Sequence, residues 1–318
     1  MTASKKICWT ITDEFPGMKS QVIGLSDAIG IASVHKTCKR RWPWGWLSLP
    51  WGNPLTQLTP KSDPLTPPWP DLVITCGRRS APLALAIKKQ SNGKTFCVHI
   101  QNPILNLEAF DLIVSPEHDH LKRPNVISTK GAIHKVTPQK IEEDIKIHAS
   151  LFQNLPRPYS TVLLGGSTNR YKMPREALED LIRNILLIRN KTQGSVLVTP
   201  SFRTPFRDLL TKSLKDEPHI FLAEVEKLNP YFAMLGVANF LFVTDDSVNM
   251  VCEACVTGKP VYILPLLNHG KTKPKKFIEG LIQEGTVRLF QGSIDRWSYA
   301  PFNDTAKVAA VVRKQMGL

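Results

Sequence analysis

Short apolar runs alternate with amphipathic stretches along almost the whole chain. Ile7-Cys-Trp-Thr-Ile11 is the first run. A loop over Thr12 to Gly17 follows, then a helix from Gln21 to Ile29 with Val22, Leu25 and Ile29 on one face. Asp71 to Cys76 predicts a buried strand that stops at Gly77, with a helix through Pro82 to Ile87 behind it. Thr95 to Ile100, Asp111 to Ser115 and Asn125 to Ser128 predict three further strands. Apolar runs of strand length between helices describe strands covered on both faces, and hence a parallel, doubly wound sheet.

The pattern pauses and restarts. Residues 139 to 153 predict a polar helix, and the two prolines of Asn154-Leu-Pro-Arg-Pro-Tyr-Ser160 predict an interdomain linker. Thr161 to Leu164 then predicts a strand ending at Gly165-Gly166. A long helix follows over Arg175 to Asn190, with Leu178, Leu181, Ile182, Ile185 and Leu186 at helical spacing. Ser195 to Thr199, Ile220 to Leu222, Phe240 to Thr244 and Val261 to Leu264 are strand candidates, and Asp304 to Met316 a last helix. The fold class is α/β, with two similar halves predicted as domains 1–153 and 154–318. In such sheets ligands lie beyond the carboxyl ends of the strands, so the loops after the strands carry the chemistry.

Composition narrows the function. The 318 residues are 42% hydrophobic, enough for sizeable cores and against wholesale disorder. No apolar run reaches the ~18 residues of a membrane span. The segment Met1 to Lys6 leads into the first strand without a signal peptide's apolar region or cleavage site, which predicts a cytoplasmic protein. Six cysteines at 8, 38, 76, 97, 252 and 255 are scattered, which fits a reducing compartment. Cys252 and Cys255 read as helix interior packed in a core rather than a metal or redox pair, and the histidine scatter supports no zinc site.

The formal charge of +14 calls for a polyanionic partner: nucleic acid, anionic lipid or a phosphorylated ligand. Part of it is local. From His35 to Ser62 there is no acidic residue, and Arg40 and Arg41 stand beside Trp42, Trp44, Trp46 and Trp51. That mixture suits a membrane interface, where indoles sit at headgroup level and cations meet anionic lipid. It also suits stacking on single-stranded nucleic acid, or a Pro-rich loop folded back onto its domain.

Several loops could carry chemistry. Asp245, Asp246 and Ser247 form a turn and helix cap after a buried strand, and free N–H groups there suit phosphate. Glu253 lies about two turns into that helix, placed either to bind a ribose diol or to be solvated. Gly165-Gly166-Ser167 permits close approach to a phosphate, or is a plain tight turn. Arg203 offers a forked guanidinium to phosphate, or caps a surface loop. Asp13 is a candidate general base, with a turn or N-cap role as the alternative. Arg78 and Arg79 open a helix, and His118 and Asp119 follow a strand, where they face a ligand or stabilise their own turn.

The chain resembles the "elongated mitochondria" (Elm) mitochondrial-fission family, which has plant and many bacterial members. The resemblance rests on Asp13 to Gln21, Pro70 to Ser80, Gln101-Asn-Pro103, Phe110 to Asp119, Gly165-Gly166, Thr244 to Val261 and Gly285 to Arg288, in order along the chain. Two positions depart from the pattern: Phe202 stands where a second Arg is usual, and Asp245-Asp246-Ser247 has an Asp where a small residue is more usual. The family in turn looks like GT-B glycosyltransferases, such as the N-acetylglucosamine transferase that acts on the lipid-linked peptidoglycan precursor.

That resemblance implies two Rossmann-like domains facing across a cleft, with the helix from Asp304 crossing back onto the first. It implies a nucleotide-sugar donor in the C-terminal domain, held by Ser247, Asn249, Met250 and Glu253, the last on the ribose. Gly165, Gly166 and Ser167 would face the diphosphate, with Arg203, Lys259 or Arg78 stabilising phosphate. Gly17, Met18, Gln21 and Arg79 would line the acceptor side, with Asp13, His118 and Asp119 as the catalytic residues and Asp13 as the base. No metal or other cofactor is expected, because helix N–H groups and cations can stabilise a leaving diphosphate. The expected activity is sugar transfer to a cell-envelope or lipid-linked acceptor at the inner face of a membrane. The alternative is a non-catalytic adaptor that recruits a dynamin-like protein. A nucleic-acid partner is not expected, since no nucleic-acid motif is present.

Overall fold

The computed structural model describes residues 6–47, 52–168, 171–224, 229–266 and 273–318. The chain divides into two compact units, 1–135 with 303–318, and 136–302.

The first unit contains β1 (Cys8–Thr12), α1 (Pro16–Ile29), β2 (Ser33–Thr37), the short α2 (Trp44–Leu47), β3 (Leu72–Cys76), α3 (Ala81–Gln90), β4 (Phe96–Ile100), β5 (Leu112–Pro116) and β6 (Val126–Thr129). Its sheet is parallel, in the order β2-β1-β3-β4-β5-β6. Every residue of β1 and β3 is buried. Both sheet faces are covered, which is why these strands read as apolar runs rather than as alternation. Val22 and Leu25 of α1 pack on one face with Ile74 and Val98, while Leu83 and Ile87 of α3 pack on the other with Ile11 and Ile113. Helix α1 starts at Pro16 rather than Gln21. Proline has no N–H to leave unsatisfied in a first turn and its φ is already helical, so Gly17 and Met18 are helical and not part of a loop. The polar, half-exposed edge strand β2 lacks the apolar signature and is absent from the sequence prediction.

The second unit contains α4 (Pro138–Phe152), β7 (Tyr159–Leu164), α5 (Arg175–Thr192), β8 (Ser195–Pro200), α6 (Arg207–Leu214), β9 (Ile220–Leu222), α7 (Tyr231–Val237), β10 (Phe240–Thr244), α8 (Val248–Cys255), β11 (Val261–Leu264), α9 (Lys273–Gln283) and β12 (Arg288–Leu289). This sheet is also parallel, in the order β12-β11-β10-β7-β8-β9. The predicted face of α5 is buried through Leu178, Leu181, Ile182 and Ile185.

The predicted boundary near 153/154 is corrected to 135/136, because α4 belongs to the second unit. The Ala233 N–H donates to Asp144 Oδ2 at 2.6 Å. A Cβ at Gly236 would come within 2.4 Å of Ile141 Cγ2, so α4 and α7 approach closely where that residue is glycine. The proline-rich stretch runs into β7 instead of linking domains: Pro158 O accepts from the Ser195 N–H at 3.0 Å, and Tyr159 donates its hydroxyl to Phe152 O at 2.9 Å.

The final helix, α10 (Asp304–Met316), returns to the first unit as expected. Val308, Ala309 and Val312 join its core. Asp304 Oδ2 accepts from the Gly131 N–H at 2.8 Å, and Arg313 donates to Ala28 O at 2.7 Å.

Candidate functional site

Strand order locates a candidate site in each unit. In the first, the chain leaves β1 for β2 on one side, and β3 lies on the other. In the second, β8 and β9 extend one way from β7, and β10, β11 and β12 the other. Neighbouring loops diverge at such reversals, which opens a crevice beyond the strand ends. Asp13 and Gly77 follow the β1/β3 pair, while Gly165 and Asp245 follow the β7/β10 pair.

At the first reversal, Asp13 is only 7% exposed. Its Oδ1 accepts from the Phe15 N–H at 3.4 Å, and Arg79 Nη1 lies 3.6 Å from Oδ2. Burial pushes the Asp13 carboxyl above its ordinary value, against the pull of the Phe15 N–H and Arg79. Arg78 and Arg79 are exposed at the start of α3. Met18 covers Gly77, whose φ is +85°. Gln21 is buried, with its Oε1 3.8 Å from the Cys76 thiol that donates to it. The structure therefore groups Asp13, Met18, Gln21 and Arg79. It places Asp119 elsewhere, in a turn after β5, two strands removed from β3, where Ser115 Oγ donates to its carboxylate at 3.3 Å. His118 shares that turn, and its side chain is outside the described residues.

The second reversal is bound up internally. The Gly165 N–H donates to Thr244 Oγ1 at 2.8 Å, the Gly166 N–H to Asp246 Oδ2 at 3.0 Å, and the Ser167 N–H to Arg203 O at 3.0 Å. Ser167 Oγ accepts from the Met173 N–H at 3.1 Å. Thr244 donates its hydroxyl to Asp246 Oδ1 at 2.7 Å, and Arg203 Nη2 pairs with Asp246 Oδ2 at 2.8 Å. A Cβ on Gly165 would fall 1.9 Å from Asp246 Oδ1, and one on Gly166 2.1 Å from Arg203 O. Close approach between these loops, not left-handed backbone, is what demands the two glycines. Burial and the nearby Asp245 and Asp246 push the Tyr171 phenol up to about 12.

Three predicted donor contacts are committed inside the protein. Ser247 caps α8, accepting from the Met250 N–H at 3.4 Å. Glu253 is 8% exposed rather than solvated, and accepts the Tyr231 hydroxyl proton at 2.6 Å. Burial first, and then this carboxylate, hold the Tyr231 phenol well above its ordinary value. Lys259 is turned toward backbone carbonyls. It donates to Leu235 O at 2.9 Å and to Gly236 O, so it neutralises the carbonyl end of α7, and burial lowers it to about 8. Asn249 is half-buried in the first turn of α8, and Met250 packs against the core. Sequence reasoning missed Thr244, Asp246 and Tyr231 as site residues. The one available signal was the unusual Asp in the Asp245-Asp246-Ser247 turn.

The Trp-rich segment is divided. Arg40 is 4% exposed and donates to Gln57 Oε1 at 2.5 Å, so it folds inward and leaves the predicted membrane face. Arg41 is exposed, with its Nε on Leu58 O at 2.7 Å. Trp42 is 83% exposed and Trp44 half-buried. The Trp46 side chain and Trp51 lie outside the described residues. Among the described residues no helix is long and apolar enough to cross a membrane. The six cysteines are buried free thiols.

Comparison with known proteins fits this architecture. The UDP-GlcNAc 2-epimerase of Methanocaldococcus jannaschii superposes with a TM-score of 0.58 at 13% identity, covering 98% of this chain and 100% of that one. Its complex with UDP-GlcNAc and UDP gives 0.56. The glycotransferase of kitacinnamycin superposes at 0.50 with 10% identity, covering 99% and 94% of the two chains. At these identities the shared property is the fold, two Rossmann-like α/β units of GT-B type. Among curated relatives, the mitochondrial fission protein ELM1 of Arabidopsis thaliana is 30% identical over 275 residues, which is 78% of this chain and 64% of that protein. The chain thus matches less than two thirds of that relative's length. The model of the family described as "Mitochondrial fission ELM1" matches residues 16–316, and this chain belongs to that family.

Proposed function

We propose that the chain is a nucleotide-sugar-dependent glycosyltransferase acting on a cell-envelope or lipid-linked acceptor. The observation that carries this reading is Asp13. It is a buried carboxyl at the β1/β3 reversal, raised above its ordinary value and within reach of one arginine. A base is most effective with its pKa near the working pH, and burial moves an aspartate in that direction. Asp13 takes the proton of an acceptor hydroxyl as that oxygen bonds to the anomeric carbon and the nucleoside diphosphate leaves. Arg78 and Arg79 draw an anionic acceptor to the same crevice. The second unit takes the donor nucleotide, a reading supported by an epimerase of the same fold in complex with UDP-GlcNAc and UDP. Trp42 and Arg41 give the first unit an exposed aromatic–cationic pair for an anionic membrane.

Thermal unfolding with UDP-, GDP-, ADP- and CMP-sugars tests the donor role, since a ligand of the folded state raises the midpoint. One of these is expected to stabilise the protein, and Asp13→Asn to abolish sugar transfer while keeping that stabilisation. Indifference to the whole panel would sink the proposal. A second reading, a GT-B-shaped adaptor for a dynamin-like protein, draws on the family's name and on the internally bonded glycine turn. Nucleotide indifference combined with binding to such a partner is its signature.

A further inference from the structure

The glycine turn after β7 has the form of an anion site, and it already holds an anion. The Asp246 side chain is wholly buried, while that of Arg203 is 39% exposed. The carboxylate is gripped by the Gly166 N–H, the Thr244 hydroxyl and the Arg203 guanidinium. A backbone N–H at a glycine turn, a hydroxyl and a forked cation are the donors that proteins present to phosphate. The vacancy left by the missing Gly165 side chain is filled by this same carboxylate, 1.9 Å from where a Cβ would stand.

We propose that Asp246 is a built-in mimic of the donor's diphosphate, gating that site so that a nucleoside diphosphate enters only by taking Gly166 and Arg203 away from it. The proposal rests on the donor-binding reading of the second unit. Two physical facts drive the competition. A buried carboxylate repels an incoming diphosphate, and it occupies the donors that ligand needs. Arg203 is the group able to change partner, because its guanidinium also faces solvent and, among the described residues, its Nη1 is tied by 3.4 Å contacts to Gly166 O and Ser167 O. Asp246 is thereby a specificity-determining residue: it sets the affinity threshold a phosphorylated ligand must exceed.

Calorimetric titration of the full chain with UDP, inorganic pyrophosphate and uridine tests this. Asp246→Asn removes the charge and keeps the size, and Asp246→Ser also frees the Gly166 N–H. UDP and pyrophosphate are expected to bind about tenfold tighter to Asp246→Asn than to wild type, the loss of one charge-assisted competitor, and tighter still to Asp246→Ser. Uridine, lacking phosphate, is expected to bind all three alike. Adding Arg203→Ala to Asp246→Ser is expected to erase the gain, which a purely structural role for Asp246 would not produce. A readout on wild type needs no variant: the Gly166 amide and Arg203 guanidinium NMR resonances are expected to move together as UDP is added. UDP binding that is equal or weaker in folded Asp246 variants overturns the gate and leaves the donor reading standing. Failure of every form to bind either UDP or pyrophosphate overturns the gate, and the donor reading falls with it only when the whole nucleotide-sugar panel also leaves the unfolding midpoint unchanged.

Discussion

Asp13 and Asp246 each follow a fully buried strand at the reversal of a six-stranded parallel sheet, and each has an arginine beside it. The surroundings differ. Asp246 receives a backbone N–H at 3.0 Å, a hydroxyl at 2.7 Å and a guanidinium at 2.8 Å. Asp13 receives a long N–H contact at 3.4 Å and a guanidinium at 3.6 Å, and burial outweighs both. The lesson concerns donor number. A buried carboxylate with a full set of short donors is fixed in place, whereas at Asp13, with few and distant donors, burial pushes the carboxyl up. One side of a sheet reversal thus carries a candidate base in the first unit, and the other side carries a clamp in the second.

The largest test of this contrast is glycine replacement. Gly166→Ala drives a Cβ into the Arg203 backbone and is expected to cost about 3 kcal/mol in urea unfolding. Gly77→Ala at the other reversal is expected to cost about 1–2 kcal/mol, because its clash is with the flexible Met18 tip and its strain is that of a left-handed φ. Equal costs would break the contrast between a packed and an open turn.

Asp246→Asn should come next. It uncouples the half-exposed Arg203 and is expected to lose about 1–2 kcal/mol. Tyr231→Phe removes the hydroxyl that Glu253 accepts and is expected to lose about 1 kcal/mol, with a visible change in the nucleotide response if Glu253 reaches the ribose.

Asp13→Asn should show the smallest effect, with opposite sign at neutral pH. The folded Asp13 carboxyl lies above its unfolded value, so the protonated acid is favoured by folding. Its contribution is full below the ordinary aspartate range and is lost as pH rises through the folded value. Asp13→Asn is therefore expected to be at least as stable as wild type at neutral pH and to lack that part of the pH slope. A variant less stable at neutral pH, with the deficit vanishing in acid, would show that Asp13 is instead held as a carboxylate.

Most strands of both sheets and the apolar face of α5 were legible from local pattern, because burial on both faces writes itself as a continuous apolar run, while the return of α10 was legible only through the family resemblance. Asp13 was legible as a carboxyl just beyond such a run. The edge strand β2 was not, since half-exposed Ser33, Val34 and His35 carry no such run. The placement of α4 was not legible either, because its mostly polar surface gives no sign that its few apolar residues meet α7.

Sequence alone determined the α/β class, two Rossmann-like halves, the family and the loops beyond the strand ends. Tertiary structure alone decided what those loops do with their charges. Gly166 meets Asp246 across 80 residues, Lys259 closes the end of α7, Glu253 takes the Tyr231 hydroxyl, and Arg40 turns inward to Gln57. Periodicity reports whether a position is buried, a property each residue carries locally. Which donor meets which acceptor depends on strand order and loop approach, and those exist only once the chain has folded.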